Sequence, residues 1–143
     1  MIILDTNVVS EPLRQLPTLQ VLEWIDLQPV EALYLTAITV AELRAGIALM
    51  PSGKRRNLLQ KNIEQQVLPI FNERVLGFDF SCTSTFSEYV FLAKKKGVVI
   101  STTDALIASI AGAYGMAIAT RDEKPFKAIG LRVINPWKSS SEI

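Results

Sequence analysis

The sequence predicts an α/β fold in which a parallel sheet is covered on both faces by helices. Short apolar segments of strand length alternate with longer segments of helical character along the chain. Strands in a parallel sheet are buried on both faces, so they form continuous apolar runs. With 143 residues and 49% apolar content, the chain is long enough to bury such a sheet, and we expect residues 1–143 to form a single domain.

The predicted elements alternate regularly between strands and helices. Strands are predicted at residues 1–4, 33–35, 74–78, 116–120 and 131–134, and helices at about residues 7–14, 18–28, 39–50, 54–67, 81–96 and 101–113. Prolines at positions 17, 29 and 51 separate the early helices, because proline lacks the amide hydrogen that a helix interior needs. Three lysines followed by Gly97 end the helix at 81–96, as the helix dipole and a left-handed terminal residue favour.

The residue content excludes several kinds of active site. Histidine is absent, and cysteine occurs once, at Cys82. Serine–histidine triads, cysteine–histidine pairs, histidine-ligated zinc and disulfides within the chain are therefore excluded. An enzyme of this composition must use carboxylates, hydroxyls, lysine, arginine and a bound cofactor. The formal net charge of +1 does not by itself indicate a nucleic-acid-binding protein.

The chain is apolar for a protein of its size, with a mean hydropathy of +0.27. A tightly packed core explains this, and so does an apolar interface; we expect a partner or self-association. Between Lys96 and Arg121 the only charge is Asp104. Glycines and hydroxyl residues interrupt this run, so a helix and a buried strand explain it better than a membrane span. The first residues lack a basic leader, and we expect a soluble, cytoplasmic protein.

Four acidic residues are predicted to meet at one edge of the sheet. Asp5 ends the first strand, Asp122 follows the fourth, and Glu42 and Asp104 fall in the first turns of predicted helices. In an open α/β sheet, strand ends and the following helix starts share the carboxyl edge, where ligands bind. We therefore expect these four carboxylates to lie together.

Each acid also has a structural explanation. Glu42 and Asp104 both stand three residues after a hydroxyl residue, which matches a capping box at a helix start. Asp122 is compatible with a turn. Asp5 is the hardest to explain in this way, because it follows four apolar residues and is expected to be poorly solvated.

Crowded carboxylates favour a divalent cation, because their mutual repulsion otherwise raises their pKa values. Oxygen ligands select Mg²⁺ or Mn²⁺ over zinc. Such a cation activates water without histidine, and a pair of cations also stabilises the leaving oxygen of a phosphodiester. The acids and the missing histidines together predict metal-assisted phosphoryl hydrolysis.

Hydroxyl and amide side chains near the acids are candidate supports. Thr6, Thr103 and Thr120 are placed to orient a carboxylate or a bound water, and Asn7 is placed to brace Asp5. Each of these residues is equally compatible with a cap or a turn.

Basic residues near the acids are candidate contacts for a phosphate backbone. Arg44 and Arg121 lie beside acids in the sequence and are predicted to bind RNA. The basic clusters at residues 54–56 and 94–96 are compatible with solvated helix ends or with phosphate contact. Asp79 precedes a predicted helix, so we interpret it as an N-cap outside the site.

Four segments in this order resemble the PIN-domain family, and more closely its VapC-type toxins of the FitB-like branch. They are Leu4-Asp5-Thr6-Asn7-Val8, Ala41-Glu42-Leu43, Asp104-Ala105-Leu106-Ile107-Ala108 and Ala119-Thr120-Arg121-Asp122, followed by Asn135-Pro136-Trp137. The resemblance covers nearly the whole chain.

The resemblance implies a three-layer α/β/α fold with a parallel five-stranded sheet, Mg²⁺ or Mn²⁺ at the acidic cluster, and endoribonuclease activity. Asp5 and Asp104 correspond to the principal metal ligands. Glu42 and Asp122 correspond to further ligands, direct or through water, and Thr120 to a supporting hydroxyl. Many relatives carry asparagine at the position of Asp122. Many also have an acid where this chain has a proline before Phe126, so no role transfers there.

The resemblance also implies partners. It implies a homodimer and the toxin role in a type II toxin–antitoxin module, with a small antitoxin encoded alongside. The antitoxin is expected to cover the groove, to place an arginine or an apolar helix in the acidic pocket, and to bind operator DNA through its own domain.

Other classes fit the sequence less well. A degenerate PIN domain that binds RNA or protein without cleavage is the main alternative, but its usual mark is loss of the acids, and all four are present. A haloacid-dehalogenase-like phosphatase needs a second aspartate two residues after the first, where Asn7 stands. A receiver domain needs paired acids near the start and a late lysine, which are not evident.

Overall fold

The computed structural model describes residues 1–138, which form a five-stranded parallel sheet between helices. The strand order is β3-β2-β1-β4-β5, and each neighbouring pair is parallel. The strands are β1 (Ile2–Leu4), β2 (Leu33–Thr36), β3 (Val75–Leu76), β4 (Ala117–Ala119) and β5 (Val133–Ile134). The predicted α/β class and the five-stranded parallel sheet are confirmed.

Seven α-helices surround the sheet within the described residues. They are α1 (Thr6–Ser10), α2 (Leu19–Leu27), α3 (Ala37–Ala48), α4 (Lys54–Asn62), α5 (Thr83–Lys95), α6 (Thr102–Ala113) and α7 (Glu123–Ala128). No helix in residues 1–138 has both the length and the apolar character needed to cross a bilayer.

Two separate apolar clusters show that both faces of the sheet are covered. Ile3 and Ile118 pack into one cluster together with residues of α5, α6 and α7. Leu4 and Ala119, their neighbours on the same strands, pack into the other cluster with residues of α1, α3 and the segment after α4. Successive residues of a strand point to opposite faces. The sheet is therefore the middle layer of three.

The helix that carries Glu42 begins earlier than predicted. Thr36 is its N-cap, and the Oγ1 of Thr36 accepts a hydrogen bond from the backbone N–H of Thr39 at 3.0 Å. Glu42 is consequently the sixth residue of α3 and lies in its second turn. The capping-box interpretation of Glu42 is wrong, because Thr36 caps the helix and Thr39 is its third residue.

Other predicted elements differ at their ends. The helix predicted at 7–14 is α1 followed by a 3₁₀ turn at Glu11–Leu13, and the helix predicted to residue 67 is α4 followed by a π turn at Ile63–Val67. The strand predicted at 74–78 is confined to β3. Helix α7 was not predicted; Pro125 lies in its first turn, where the missing amide hydrogen costs no intrahelical bond.

Gly112 is required by the packing of α5 against α6. A Cβ atom at this position would lie 2.1 Å from the hydroxyl oxygen of Tyr89. Gly112→Ala is therefore expected to lower the free energy of unfolding by about 1–3 kcal/mol, because the ring must move. Gly46→Ala in α3 meets no atom within 4 Å and is the matched control. Urea denaturation of both variants checks this, and equal stability of the two would contradict it.

Candidate active site

The structure places the four predicted acids around the carboxyl edge of the central strands. Asp5 follows β1, and Asp122 lies just past β4 as the N-cap of α7. Glu42 is on α3, which follows β2, and Asp104 is the third residue of α6. Their charges interact: Asp104 and Glu42 act on Asp5, and Glu42 and Asp122 act on Asp104.

Asp5 has the most constrained environment of the four. Its side chain is buried, with 6% exposure. Asp5 Oδ1 accepts a hydrogen bond from the backbone N–H of Thr6 at 2.8 Å, which caps α1. Asp5 Oδ2 accepts one from the hydroxyl of Thr120 at 2.7 Å. Both oxygens are therefore held in fixed positions at the end of the central strand.

Burial raises the pKa of Asp5 from 3.8 to about 6. The hydrogen bonds from Thr120 and Thr6 oppose this rise, while the charges of Asp104 and Glu42 add to it. Burial also raises the pKa of Asp104, and repulsion from Glu42 and Asp122 acts in the same direction. The site thus disfavours its own ionised form in the absence of a cation.

Thr120 connects three parts of the site. Its fully buried hydroxyl donates to Asp5 and accepts from the backbone N–H of Asp122 at 3.1 Å and from Asn7 Nδ2 at 3.4 Å. A hydroxyl has one donor and two acceptor positions, and all three are used here. Thr120 is thus in direct contact with Asp5 and with the chain at Asp122, and its supporting role in the site stays a prediction.

Thr6 and Asn7 occupy supporting positions on α1. The hydroxyl of Thr6 donates to Glu42 Oε1 at 2.8 Å, across the contact between α1 and α3. Asn7 Oδ1 accepts from the backbone N–H of Arg121 at 3.3 Å. Asn7 therefore holds the loop after β4, and it is linked to the carboxylate of Asp5 through the hydroxyl of Thr120.

Asp104 is fixed by the cap of α6. Ser101 is the N-cap, and its Oγ accepts from the backbone N–H of Asp104 at 3.1 Å, so the predicted capping interaction is present. The hydroxyl of Thr103 lies 3.3 Å from that of Ser101. Thr103 thus belongs to the exposed cap, where its hydroxyl bonds to that of Ser101. Its role in orienting a carboxylate or a bound water stays a prediction.

A polar clasp, missed in the sequence, holds the loop that carries Asp122. Asn135 Nδ2 donates to Glu123 Oε2 at 3.0 Å, and Lys127 and Lys138 both pair with Glu123. These contacts, with Lys127 first, lower the pKa of Glu123 to about 2. The spacing of Glu123 and Lys127 by four residues was the available signal. The sequence pattern did not predict a helix at these residues, so the spacing did not predict an ion pair.

The two predicted RNA-binding arginines have other partners. Arg44 forms a two-pronged ion pair with Glu64, at 2.8 and 3.1 Å. Arg44 stands two residues after Glu42 on the same helix, so the two side chains point in different directions. Arg121 lies over the ring of Trp137 at 5.2 Å. Arg121 is next to Asp122 and remains a candidate for RNA contact, whereas Arg44 is engaged by Glu64.

Three further polar side chains have hydrogen-bond partners outside the four acids of the site: Lys96, Asp79 and Arg56. Lys96 Nζ donates to the carbonyl of Ala128, which indicates a structural role. Asp79 precedes a 3₁₀ turn and accepts from the hydroxyl of Tyr114 at 2.7 Å; its side chain forms no N-cap hydrogen bond with the backbone. Arg56 donates to Ser52 Oγ at 3.4 Å.

The acids fit a magnesium-like cation through their chemistry. No three Asp, Glu or Cys side chains within residues 1–138 are grouped closely enough to form a ready-made metal site. Mg²⁺ keeps several waters and is usually bound through one or two carboxylates, so it does not need such a group. Asp5 and Asp104, both with raised pKa values, are the carboxylates that gain most from a nearby positive charge.

With this site at the end of a five-stranded parallel sheet, the fold and the order of its acids are those of a PIN domain. The PIN-domain sequence profile matches residues 2–131. The chain belongs to the PIN-domain family.

Similar proteins match nearly the whole chain. Plasmid stability protein StbB of Pseudomonas syringae is 55% identical over 139 residues, 97% of this chain and 100% of that protein. VapC ribonuclease Y4jK of Sinorhizobium fredii is 51% identical over 138 residues, 96% of this chain and 99% of that protein.

The third relative has a solved structure. Toxin FitB of Neisseria gonorrhoeae is 44% identical over 137 residues, 96% of this chain and 99% of that protein. The crystal structure of FitAcB from Neisseria gonorrhoeae matches with a TM-score of 0.93 at 44% identity, covering 97% of this chain and 100% of that chain. The predicted family and its FitB-like branch are confirmed.

Proposed function

We propose that this chain is a Mg²⁺- or Mn²⁺-dependent endoribonuclease and the toxin of a type II toxin–antitoxin module. The observation that carries the proposal is the buried carboxylate of Asp5 at the end of the central strand, with Asp104 and Glu42 near enough to raise its pKa. Relatives named as a VapC ribonuclease and as a toxin support the same function.

In this function the four acids act in two pairs. Asp5 and Asp104 hold the cation directly, and Glu42 and Asp122 hold it directly or through water. When bound, the cation supplies an activated water and neutralises charge on the phosphodiester. Thr6 fixes the orientation of Glu42 through its 2.8 Å hydrogen bond.

Thr120 and Asn7 keep the site in shape while the RNA is bound. Thr120 fixes Asp5 Oδ2 and the backbone at Asp122, so movement of one acid is tied to the other. Asn7 ties the loop at Arg121 to α1. Such supporting contacts matter because ligands must be oriented before the reaction, and their loss commonly costs 10–100-fold in metal affinity or activity.

We propose that the chain forms a homodimer and is inhibited by a cognate antitoxin. Exposed apolar side chains support contact with other chains; Phe80 and Val99 are each 92% exposed. Light scattering is expected to give twice the 15.8 kDa chain mass, and a monomer would contradict the dimer.

The antitoxin places an arginine or an apolar helix in the acidic pocket and contacts operator DNA through its own domain. Equal cleavage by the free chain and the complex would contradict the inhibition.

Cleavage of single-stranded RNA by the purified, partner-free chain tests the enzymatic proposal. We expect internal cleavage in Mg²⁺ or Mn²⁺, none in EDTA, and products with 5′-phosphate and 3′-hydroxyl ends, because water attacks phosphorus and the 3′ oxygen leaves. Cleavage that persists in EDTA would contradict the carboxylate mechanism. A folded protein that binds RNA and metal but cuts none of a varied set of RNAs would favour the alternative, a degenerate PIN domain that binds RNA or protein.

A further inference from the structure

A groove leads away from the carboxylate site along α1, α3 and α4. It is lined by Thr6 and Glu42 of the carboxylate site and by Arg14 and Arg55, and has a volume of about 300 Å³. Most of its other lining side chains are apolar, such as Leu43. We call it the arginine groove. A chain leaving the carboxylate site in this direction passes over apolar surface and then meets two guanidinium groups.

The surface continues beyond the two arginines. Arg14 and Arg55 also line a cleft of about 480 Å³ together with Gln15 and Leu16. The arginines thus stand where the arginine groove opens into a second concave surface. An extended ligand has room to enter from one side and leave from the other.

Arg55 is held in place by the backbone. It is the second residue of α4, and its Nη2 donates to the carbonyl of Leu13 at 2.9 Å. A guanidinium group has five N–H donors, so one bond to a carbonyl leaves the others free to bind a ligand. The bond to Leu13 restricts the side chain before any ligand arrives, which reduces the entropy lost on binding.

Arg14 keeps most of its donors although an acid is nearby. Glu11, which is 3% exposed, accepts from the backbone N–H of Thr18 at 3.0 Å, and its distance to Arg14 Nη1 is 3.4 Å. That separation is long for a charge-assisted hydrogen bond. Glu11 therefore serves mainly to hold the loop that carries Arg14, and the Arg14 side chain stays 59% exposed.

We propose that Arg14 and Arg55 form a subsite for a backbone phosphate of single-stranded RNA whose scissile phosphate lies at the four acids. The inference rests on the proposed ribonuclease function and adds a direction for the bound strand. Guanidinium groups match the geometry of phosphate oxygens and bind them through paired donors. The apolar floor accommodates the faces of a ribose or a base between the two phosphates.

Single-stranded RNA is the ligand that fits this surface, because two cationic side chains, Arg14 and Arg55, line the groove. The neighbouring Arg44 and Arg56 line a different cleft, in which Arg44 pairs with Glu64. An apolar protein helix would use the groove floor without needing both arginines. The subsite therefore binds phosphate by charge, and its contribution must weaken as salt is added.

Cleavage kinetics of a labelled RNA oligomer in Mg²⁺, measured over a range of KCl concentrations, test the subsite. For the double variant Arg14→Gln/Arg55→Gln we expect KM to rise about tenfold, with kcat nearly unchanged, because two exposed ion pairs are lost. The slope of log(kcat/KM) against log[salt] is expected to become shallower by about 0.7, the value for one phosphate contact of a single strand.

Matched variants and a short substrate separate the subsite from other effects. Lys54→Gln/Arg56→Gln removes the same charge from α4, the helix that carries Arg55, and is expected to leave KM and the slope near wild type. A dinucleotide has one phosphate, which the acids bind, so its cleavage is expected to be unchanged in both double variants. The single variant Arg14→Gln leaves the Arg55–Leu13 bond intact and keeps the test valid if the double variant unfolds.

The outcomes are distinguishable. Absence of metal-dependent cleavage by the wild-type chain overturns the proposed function and the subsite with it. Normal cleavage with unchanged KM and salt slope in folded arginine variants overturns the subsite alone, and leaves the arginine groove to a protein partner. Equal losses in the Lys54/Arg56 variant also overturn it, because the effect would then be one of general charge.

Discussion

Asp104→Asn is expected to lower metal-dependent RNA cleavage by more than about 100-fold, because even residues that merely orient metal ligands contribute 10–100-fold. Asparagine has nearly the same shape but no negative charge, so it binds a divalent cation weakly. The hydrogen bond from the Asp104 backbone N–H to Ser101 does not involve the replaced carboxylate. The fold of α6 should therefore remain, and the loss can be assigned to the charge.

Steady-state cleavage of a labelled RNA, with circular dichroism to check folding, measures this effect. Asp26→Asn on α2 is the matched control, since Asp26 is an exposed acid outside the site, and it is expected to keep wild-type activity. Asp5→Asn should be as inactive as Asp104→Asn. Substantial cleavage by either site variant would show that the acids are not the metal ligands of the reaction.

Without metal, the protein is expected to become more stable as pH falls from about 7.5 to about 5. The pKa of Asp5 is raised from 3.8 to about 6, so between these values the folded state binds more protons than the unfolded state. Stability is therefore greatest below the unfolded pKa and is lost as pH rises through about 6. Over the whole titration, down to below pH 3.8, the difference is about 3 kcal/mol, at 1.36 kcal/mol per unit of pKa, and about half of it falls between pH 7.5 and 5.

Thermal unfolding in EDTA at several pH values between 5 and 7.5 tests this expectation. The raised pKa of Asp104 also makes the folded state more stable as pH falls. The lowered pKa values of Glu11 and Glu123 change the stability only below about pH 4.5, the ordinary pKa of glutamate. Asp5→Asn should flatten the pH dependence. Added Mg²⁺ or Mn²⁺ should stabilise the wild type at pH 7.5, because a bound cation relieves the repulsion among the four carboxylates. A midpoint that does not change with pH would contradict the burial of an ionisable Asp5.

Local patterns were sufficient to predict the parts of the site that depend on strand ends and caps. Asp5 follows a wholly apolar strand, and Asp104 stands three residues after its capping serine; both positions follow from rules that act over a few residues. The parallel sheet then brings these distant residues to one edge. This is why the acids could be grouped without any contact information.

Contacts between distant segments were harder to predict from the sequence. Glu42 was placed one turn too early, because Thr36, at the end of β2, caps α3 instead of Thr39. The pairing of Arg44 with Glu64 joins residues on separate helical segments, and nothing in the spacing of either predicts it. Long-range pairs depend on how helices pack, which a sequence pattern does not specify.

The clasp around Glu123 shows the same limit near the chain end. Its partners Asn135 and Lys138 come from the segment after β5, and Lys127 comes from a short helix with a proline in its first turn. Six residues are too few for a helical period to stand out. The loop carrying Asp122 is consequently held by contacts that are visible in the fold and not in the sequence.

The position of Mn²⁺ in crystals of the active protein, located by its anomalous scattering, tests the central claim most directly. We expect the ion at the carboxyl edge of β1, coordinated directly by Asp5 and Asp104, with Glu42 and Asp122 as direct or water-mediated ligands. Mn²⁺ bound elsewhere in a protein that cleaves RNA, with these carboxylates uncoordinated, would contradict the assignment of this edge as the active site.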